Sequence, residues 1–423
     1  MARIGLSSGA VERVSLRPRL RCARLLLLLG LLAVFPTHGQ QPQQLNLREA
    51  LDRAARQNLD LAAARLRRAV AEAGVQIARQ RPNPTVSFGA TRDTPHESLL
   101  LDQPLELGGQ RGRRIELARR ELSLTDADYS ALERQIRRSA REAYYGASLA
   151  RGVSAQRQHV ADLVKRLQEI AQARFDAGDV PQLEVFQAGL EVARAETELE
   201  VARQLEKVAL SRLNALLNEP SAAEWDLQSG LELLPPAIAL DELVSRAQQS
   251  NPALQRLAKE ERIEEARRLL LQAGRFPKVT AEIGSDLNSP PSFRAALRGQ
   301  LAVELPLFSR NQGEIAQSRA TSSLLESEAT ATRRAVAGRA QSAYLNLAAK
   351  RTQVQLYRDK LLPAGRRLAA LAEESYRAGK AGILTVLDAQ RNAQQLEREY
   401  LDNLFGLQAA FAELEETVGA SLD

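Results

Sequence analysis

Residues 174–178 read Arg174-Phe175-Asp176-Ala177-Gly178, and the chain reads Ser375-Tyr376-Arg377-Ala378-Gly379 at a shift of 201. The agreement runs on without a gap, because Leu183, Val185 and Ala188 fall on Leu384, Val386 and Ala389. In both places a long Ala-, Gln- and Arg-rich stretch stops at a glycine, and a second helical stretch starts a few residues later. Glycine is the residue that most readily ends a helix in the left-handed conformation. The pattern predicts two helical hairpins, with tips at 176–182 and 377–383.

Upstream of the first tip, apolar or small residues recur at 115, 118, 122, 129, 132, 136, 140, 143 and 147, and residues 112–175 hold no proline. That three-and-four spacing is one face of a packed helix. At 1.5 Å per residue the 64 residues extend about 96 Å, far beyond a globular helix. Its counterpart at 313–376 carries one interior proline, Pro363, which removes a backbone hydrogen bond to Asp359 and predicts a bend there. Partner helices follow at 181–217 and 383–419, the first with Pro181 at its start. Ala143-Tyr144 matches Ala343-Tyr344 at a shift of 200, and further upstream Asn58-Leu59-Asp60-Leu61 matches Asn251-Pro252-Ala253-Leu254 at 193. An ordered series of this kind is an internal duplication: a first copy at 40–218, a linker at 219–237 that contains Trp225, and a second copy at 238–423.

Each copy also holds a pair of extended segments. In 277–287, Val279, Ala281, Ile283 and Leu287 alternate with Thr280, Glu282, Gly284 and Asp286. In 293–305, Phe293, Ala295, Leu297, Leu301, Val303 and Leu305 alternate with Arg294, Arg298, Gln300 and Glu304. The first copy is weaker, with Val86, Phe88 and Ala90 alternating with Thr85, Ser87 and Thr91 in 84–92, and a return strand at 98–107. Period two, apolar on one side and charged on the other, over about ten residues is what a strand crossing an outer membrane requires. Four strands cannot close a barrel, and lipid forbids an open edge. The chain must therefore associate with copies of itself, and three copies with twelve strands is the simplest closure. On that reading Glu282, Arg294, Arg298 and Glu304 line the lumen.

Composition limits the alternatives. Aromatics make up 4% and charged residues 26%, so thin helical packing is expected in place of a thick globular core. Of the net charge of +6, five charges come from the first 39 residues, which hold six Arg and one Glu; without them 52 basic groups face 51 acidic ones. Those residues, with the apolar run Leu25 to Phe35, read as a secretory signal peptide with the mature chain starting near Gln40. A near-neutral mature chain with no zinc-finger or dinucleotide motif excludes nucleic-acid binding. Cys22 precedes the apolar run and leaves with the signal, so no lipid anchor is expected. His96 and His159 are far apart in the sequence and no soft ligand accompanies them, so neither a metal site nor a cofactor is expected. No nucleophile constellation suggests an enzyme.

The duplicated strand–strand–long-helix–helix order resembles the TolC-like outer membrane efflux proteins, and most of all their CzcC-like heavy-metal branch. The resemblance covers about 45–419. It is carried also by Gln103-Pro104-Leu105-Glu106-Leu107-Gly108-Gly109-Gln110-Arg111, by Leu305-Pro306-Leu307-Phe308 leading to Asn311-Gln312-Gly313, and by Leu387-Asp388-Ala389-Gln390. It implies a mainly α, internally duplicated chain that contributes four strands and long coiled-coil-like hairpins to a homotrimeric α/β-barrel duct. The duct sits in the outer membrane, in contact with its lipid, and extends into the periplasm. There the hairpin tips would meet a periplasmic adaptor serving an inner-membrane pump of the resistance-nodulation-division type. Arg174, Gly178, Asp179, Arg377 and Gly379 are the tip residues so implied, with Asp179 a candidate for a pore constriction. Gly108-Gly109 and Gly313 are expected at the passage from strand to helix. The cargo implied is heavy-metal cations, with organic solutes or exported proteins as alternatives. A periplasmic adaptor or a structural coiled coil would leave the four alternating strands unexplained.

Overall fold

In the computed structural model, the described residues are 43–232, 234–236, 238–289 and 293–422. The signal peptide assigned to 1–39, Cys22 within it, the start near Gln40 and Pro290-Pro291-Ser292 between the two extended segments of the second copy lie outside them. The first copy runs through β1 (Gln43–Leu45), α1 (Leu47–Gln57), α2 (Leu59–Arg79), β2 (Thr85–Ala90), β3 (Glu97–Leu105), α3 (Gln110–Asp176) and α4 (Gln182–Leu217). β4 (Trp225–Leu227) lies in the linker, and the second copy runs through α5 (Leu240–Ser250), α6 (Pro252–Ala273), β5 (Lys278–Ser289), β6 (Phe293–Glu304), α7 (Gln312–Leu356), a π turn (Tyr357–Leu361), α8 (Leu362–Arg377) and α9 (Ile383–Val418).

The duplication extends to individual hydrogen bonds. Asn58 caps α2, its side-chain oxygen accepting from the backbone N–H of Asp60 at 3.0 Å, while its amide donates to Leu216 O at 3.3 Å. Asn251 caps α6 in the same way, accepting from Ala253 N–H at 3.0 Å and donating to Thr417 O at 2.8 Å. One asparagine thus satisfies an orphan donor at a helix start and ties that start to the end of the partner helix. Strand passes to helix through a left-handed residue in both copies, Gly109 at φ 72° and Asn311 at φ 54°. The role expected of Gly313 therefore falls to Asn311, whose short side chain tolerates that conformation.

The long helix of the second copy is interrupted. Pro363 marks the region, and the interruption takes the form of a π turn at Tyr357–Leu361 in which Leu362 N–H donates to Tyr357 O. The repeat arithmetic gives the reason: the shift is 200 at Ala343 and 201 at Tyr376, so one extra residue has entered between them. A wider helical turn absorbs one residue without breaking the helix.

The core is a line of clusters strung along the helices. The largest gathers α1, α3, α5, α7 and α9 around the two-stranded β1–β4 sheet. There Tyr144 donates to Leu45 O at 3.0 Å and accepts from Ser229 N–H at 2.8 Å, and Trp225 Nε1 donates to Asn214 Oδ1 at 2.6 Å. Arg141, buried against Phe411, reaches Glu415 at 3.3 Å. A separate cluster lies near the tips and joins Leu167, Ala188, Tyr376 and Val386. The four long strands form one antiparallel sheet in the order β2-β3-β5-β6, so the two hairpins of the repeats are neighbours and β2 and β6 are its edges.

Candidate functional site

The first element of the site is a sheet face. The register sets Lys278 opposite Glu304, Glu282 opposite Gln300, Gly284 opposite Arg298 and Asp286 opposite Ala296. Directly opposed residues of an antiparallel pair point to the same side. Glu282, Arg298 and Glu304 therefore share one face, and Arg294 joins them by the two-residue period of β6. The face continues onto β3, where Asp102 stands opposite Glu282, and onto β2, where Thr85 stands opposite Asp102. Charges pair along it: Lys278 Nζ lies 3.1 Å from Glu304, and Arg298 lies 3.8 Å from Asp286. The other face carries Val86, Phe88, Leu101, Ile283, Leu297 and Leu301, all exposed, with Leu297 at 91%. Leu305, expected on that apolar face, falls just beyond the end of β6.

The second element is the pair of tips. Gly178 at φ 82° and Gly379 at φ 70° follow the last helical turns of α3 and α8. Asp179 N–H donates to Arg174 O at 2.9 Å and Gly178 N–H to Phe175 O at 2.9 Å; Lys380 N–H donates to Ser375 O at 2.8 Å and Gly379 N–H to Tyr376 O at 3.0 Å. Both tips are thus closed by the same paired bonds of a left-handed helix stop. Asp179 and Arg377 are exposed, and Arg377 pairs with Glu373 one turn back on its own helix.

Arg174 alone among the expected tip residues reaches the opposite tip. Its guanidinium lies 4.9 Å from the centre of the Tyr376 ring and donates to Tyr376 O at 3.2 Å. The Tyr376 hydroxyl donates to Glu184 at the start of α4, at 3.3 Å. Burial, and then the Glu184 carboxylate, push the Tyr376 phenol above its usual range. Tyr376 and Glu184 are functional candidates that sequence reasoning missed, since their only signal was that Tyr376 matches Phe175 in the repeat.

The chemistry on offer is attraction and positioning. Among the described residues no group of three or more His, Cys, Asp or Glu is placed to hold a metal ion. His96 sits in the β2–β3 connection, its carbonyl accepting from Thr91 N–H at 2.8 Å, and His159 lies exposed in the middle of α3. No described helix is long and apolar enough to cross a membrane.

Comparison with known proteins agrees with this geometry. The chain is 29% identical over 379 residues to the cobalt-zinc-cadmium resistance protein CzcC of Cupriavidus metallidurans, covering 88% of this chain and 89% of that one. A membrane protein from Pseudomonas aeruginosa superposes with a TM-score of 0.73 at 19% identity, over 89% of this chain and 90% of its own. CusC, solved in work on its folding and transmembrane channel formation, superposes with a TM-score of 0.73 at 15% identity, over 89% of this chain and 92% of its own. The sequence pattern of the family described as outer membrane efflux protein matches residues 50–219 and 243–420, one stretch per copy of the repeat, and the chain belongs to that family.

Proposed function

We propose that this outer membrane efflux protein works as a homotrimeric passive duct for heavy-metal cations. It would receive them from an inner-membrane pump of the resistance-nodulation-division type through a periplasmic adaptor. The observation that carries the reading is the four-stranded sheet, apolar on one face, charged on the other and open at β2 and β6, set above long helical hairpins. Such a sheet satisfies its backbone in lipid only by closing with other copies. Glu282, Arg294, Arg298 and Glu304 then line the water-filled interior, and Arg174, Gly178, Asp179, Arg377 and Gly379 lie where an adaptor meets the tips. The cargo follows from the similarity to a cobalt-zinc-cadmium resistance protein. The protein needs no cofactor, and after cleavage near Gln40 it carries no acyl chain.

The test is complementation. A strain that keeps a cobalt, zinc and cadmium pump and its adaptor, but lacks their outer-membrane component, should regain metal tolerance when this chain is expressed. The purified protein should also form ion-conducting pores in planar bilayers. Pores without restored tolerance would remove the metal assignment, and an absence of pores would remove the duct.

A further inference from the structure

All four long strands meet their helices at one end of the sheet. Thr85 at the start of β2 stands opposite Asp102, Leu105 at the end of β3 opposite Val279, and Lys278 at the start of β5 opposite Glu304 at the end of β6. The junctions α2–β2, β3–α3, α6–β5 and β6–α7 are thus gathered at one level. They also touch: Gln110 Nε2 donates to Ala273 O at 3.2 Å, and a Cβ on Gly108 would fall 2.5 Å from that of Phe276. Arginine is dense here. Arg114 is paired with Glu106 at 2.7 Å, but Arg79, Arg81, Arg111, Arg113, Arg275 and Arg310 form no ion pair among the described residues. Beyond residue 39 the chain holds 52 basic against 51 acidic groups, so these unmatched cations are a local excess. At the far end of the sheet, residues 91–97 set Arg92 against Asp93 and Glu97.

Three of the six are held in the same way. Arg111 Nε donates to Arg79 O at 2.8 Å, Arg275 Nε to Arg310 O at 3.0 Å, and Arg310 Nε to Pro306 O at 3.1 Å. Each Nε is engaged by the junction backbone, while the Nη groups have no partner among the described residues. The guanidinium is fixed and its fork left free, which suits a phosphate bound through two parallel hydrogen bonds. Apolar side chains lie exposed beside them: Leu107, Phe276, Leu305, Leu307 and Phe308, the last at 92%. Leu105 and Val303, also exposed, carry the apolar face of the sheet as far as these residues.

Resting on the outer-membrane duct reading above, we infer that the junctions form a collar for anionic phospholipid of the periplasm-facing leaflet. The phosphodiester sits on Arg111, Arg275 and Arg310, and the acyl chains lie against the apolar residues beside them. Continuity identifies the occupant. The apolar face of the sheet lies in hydrocarbon and ends where the arginines begin, so at this depth the neighbouring groups are lipid headgroups. The long helices leave the sheet at this same end, which places the collar on the periplasmic side. Charge narrows the choice further. A zwitterionic lipid brings its own ammonium beside the phosphate, so unpaired arginines favour a lipid of net negative charge. A free phosphate would match the cations and leave Phe276, Leu307 and Phe308 in water; a phospholipid covers both.

Lipid selectivity tests the collar. The protein, purified in detergent, is titrated with phosphatidylglycerol and separately with phosphatidylcholine of the same acyl chains, and bound lipid is counted by native mass spectrometry. Phosphatidylglycerol should bind at least about ten-fold more tightly, since one arginine beside anionic lipid is worth about five-fold. Combining Arg111→Gln, Arg275→Gln and Arg310→Gln should bring phosphatidylglycerol down to the level of phosphatidylcholine and leave the latter unchanged. The corresponding triple lysine variant loses the same backbone bonds and keeps the charge, so it should retain most of the preference. Removing three exposed cations elsewhere, by Arg194→Gln, Arg246→Gln and Arg366→Gln, should leave the preference in place. Equal loss in the lysine variant, or loss in the remote one, would overturn the collar. So would equal binding of both lipids by the parent, or displacement of phosphatidylglycerol by millimolar inorganic phosphate. Conductance of the same preparation in planar bilayers reports the duct separately. Pores without lipid preference would overturn the collar and leave the duct standing; an absence of pores would overturn both.

Discussion

At Gly178 and Gly379 the constraint lies in the backbone. A Cβ at Gly178 would meet nothing within 4 Å, and one at Gly379 only Arg174 Nη2 at 3.7 Å, but the φ values of 82° and 70° disfavour any residue with a Cβ. Gly178→Ala and Gly379→Ala should each cost about 1–2 kcal/mol, measured by thermal unfolding of the purified protein. Tryptophan should cost little more than alanine, and asparagine less than either; a penalty that grows with side-chain size would mean crowding. Tyr376 is constrained differently, by what its hydroxyl touches. Tyr376→Phe keeps the buried ring and removes the bond to Glu184, for an expected loss of about 1 kcal/mol. The raised phenol favours the protonated form in the fold. Its contribution is therefore full below about pH 10, the unfolded value, and is lost as pH rises through the folded one. The thermal midpoint of the parent should fall on that alkaline limb more steeply than that of Tyr376→Phe.

At the scale of elements, the two faces of β6 make opposite predictions. Leu297→Arg places a charge on the apolar face and should cost about 2–4 kcal/mol if it sits at mid-membrane depth, read as loss of heat-stable oligomer on gels. Arg298→Gln, on the charged face, should leave assembly intact and change conductance in planar bilayers. The reverse outcome would mean a one-residue error in register, which exchanges the faces. Such elements were legible in the sequence to the extent that they obey a local period. The alternation in β5 and β6 and the three-and-four spacing of α3 were plain. The weaker strands were not: β2 proved shorter than 84–92, and β3 stops at Leu105, where Glu106 turns to pair with Arg114 at 2.7 Å. The three-residue strands β1 and β4 have too little pattern to read, and their pairing spans some 180 residues. Arg174 was recognisable as a last-turn cation, but its partner Tyr376 lies 202 positions away. The π turn had a signal, the step from 200 to 201 in the repeat shift, though Pro363 drew attention to a bend instead. The wider turn takes up that extra residue without changing the phase of α8. Deleting Lys360 should therefore close it to an ordinary α-helical turn, as in α3, and leave Tyr376 buried, detectable as unchanged protease resistance at the second tip.

For the whole molecule, a conduit is poorly served by tight binding of its cargo, since release would then limit flux. His96 and His159 lie in different elements, one in the β2–β3 connection and one in mid α3. Isothermal titration of the purified protein with zinc, cobalt or cadmium should show affinity no better than roughly millimolar, because soft divalent ions need thiolate or clustered imidazole. Replacing both histidines by alanine should leave metal tolerance unchanged, whereas micromolar binding lost with them would contradict a passive duct. The sheet edges reach further than function, into the kinetics by which the molecule comes to exist. Along β2 and β6 a lone chain offers unpaired N–H and C=O groups, and it cannot exchange water for hydrocarbon there without stranding them. The inserted state is then reached only through encounters between copies. The rate of protease-protected insertion into vesicles should climb more steeply than the first power of chain concentration. Strictly first-order insertion would show that a single copy seals its own edges.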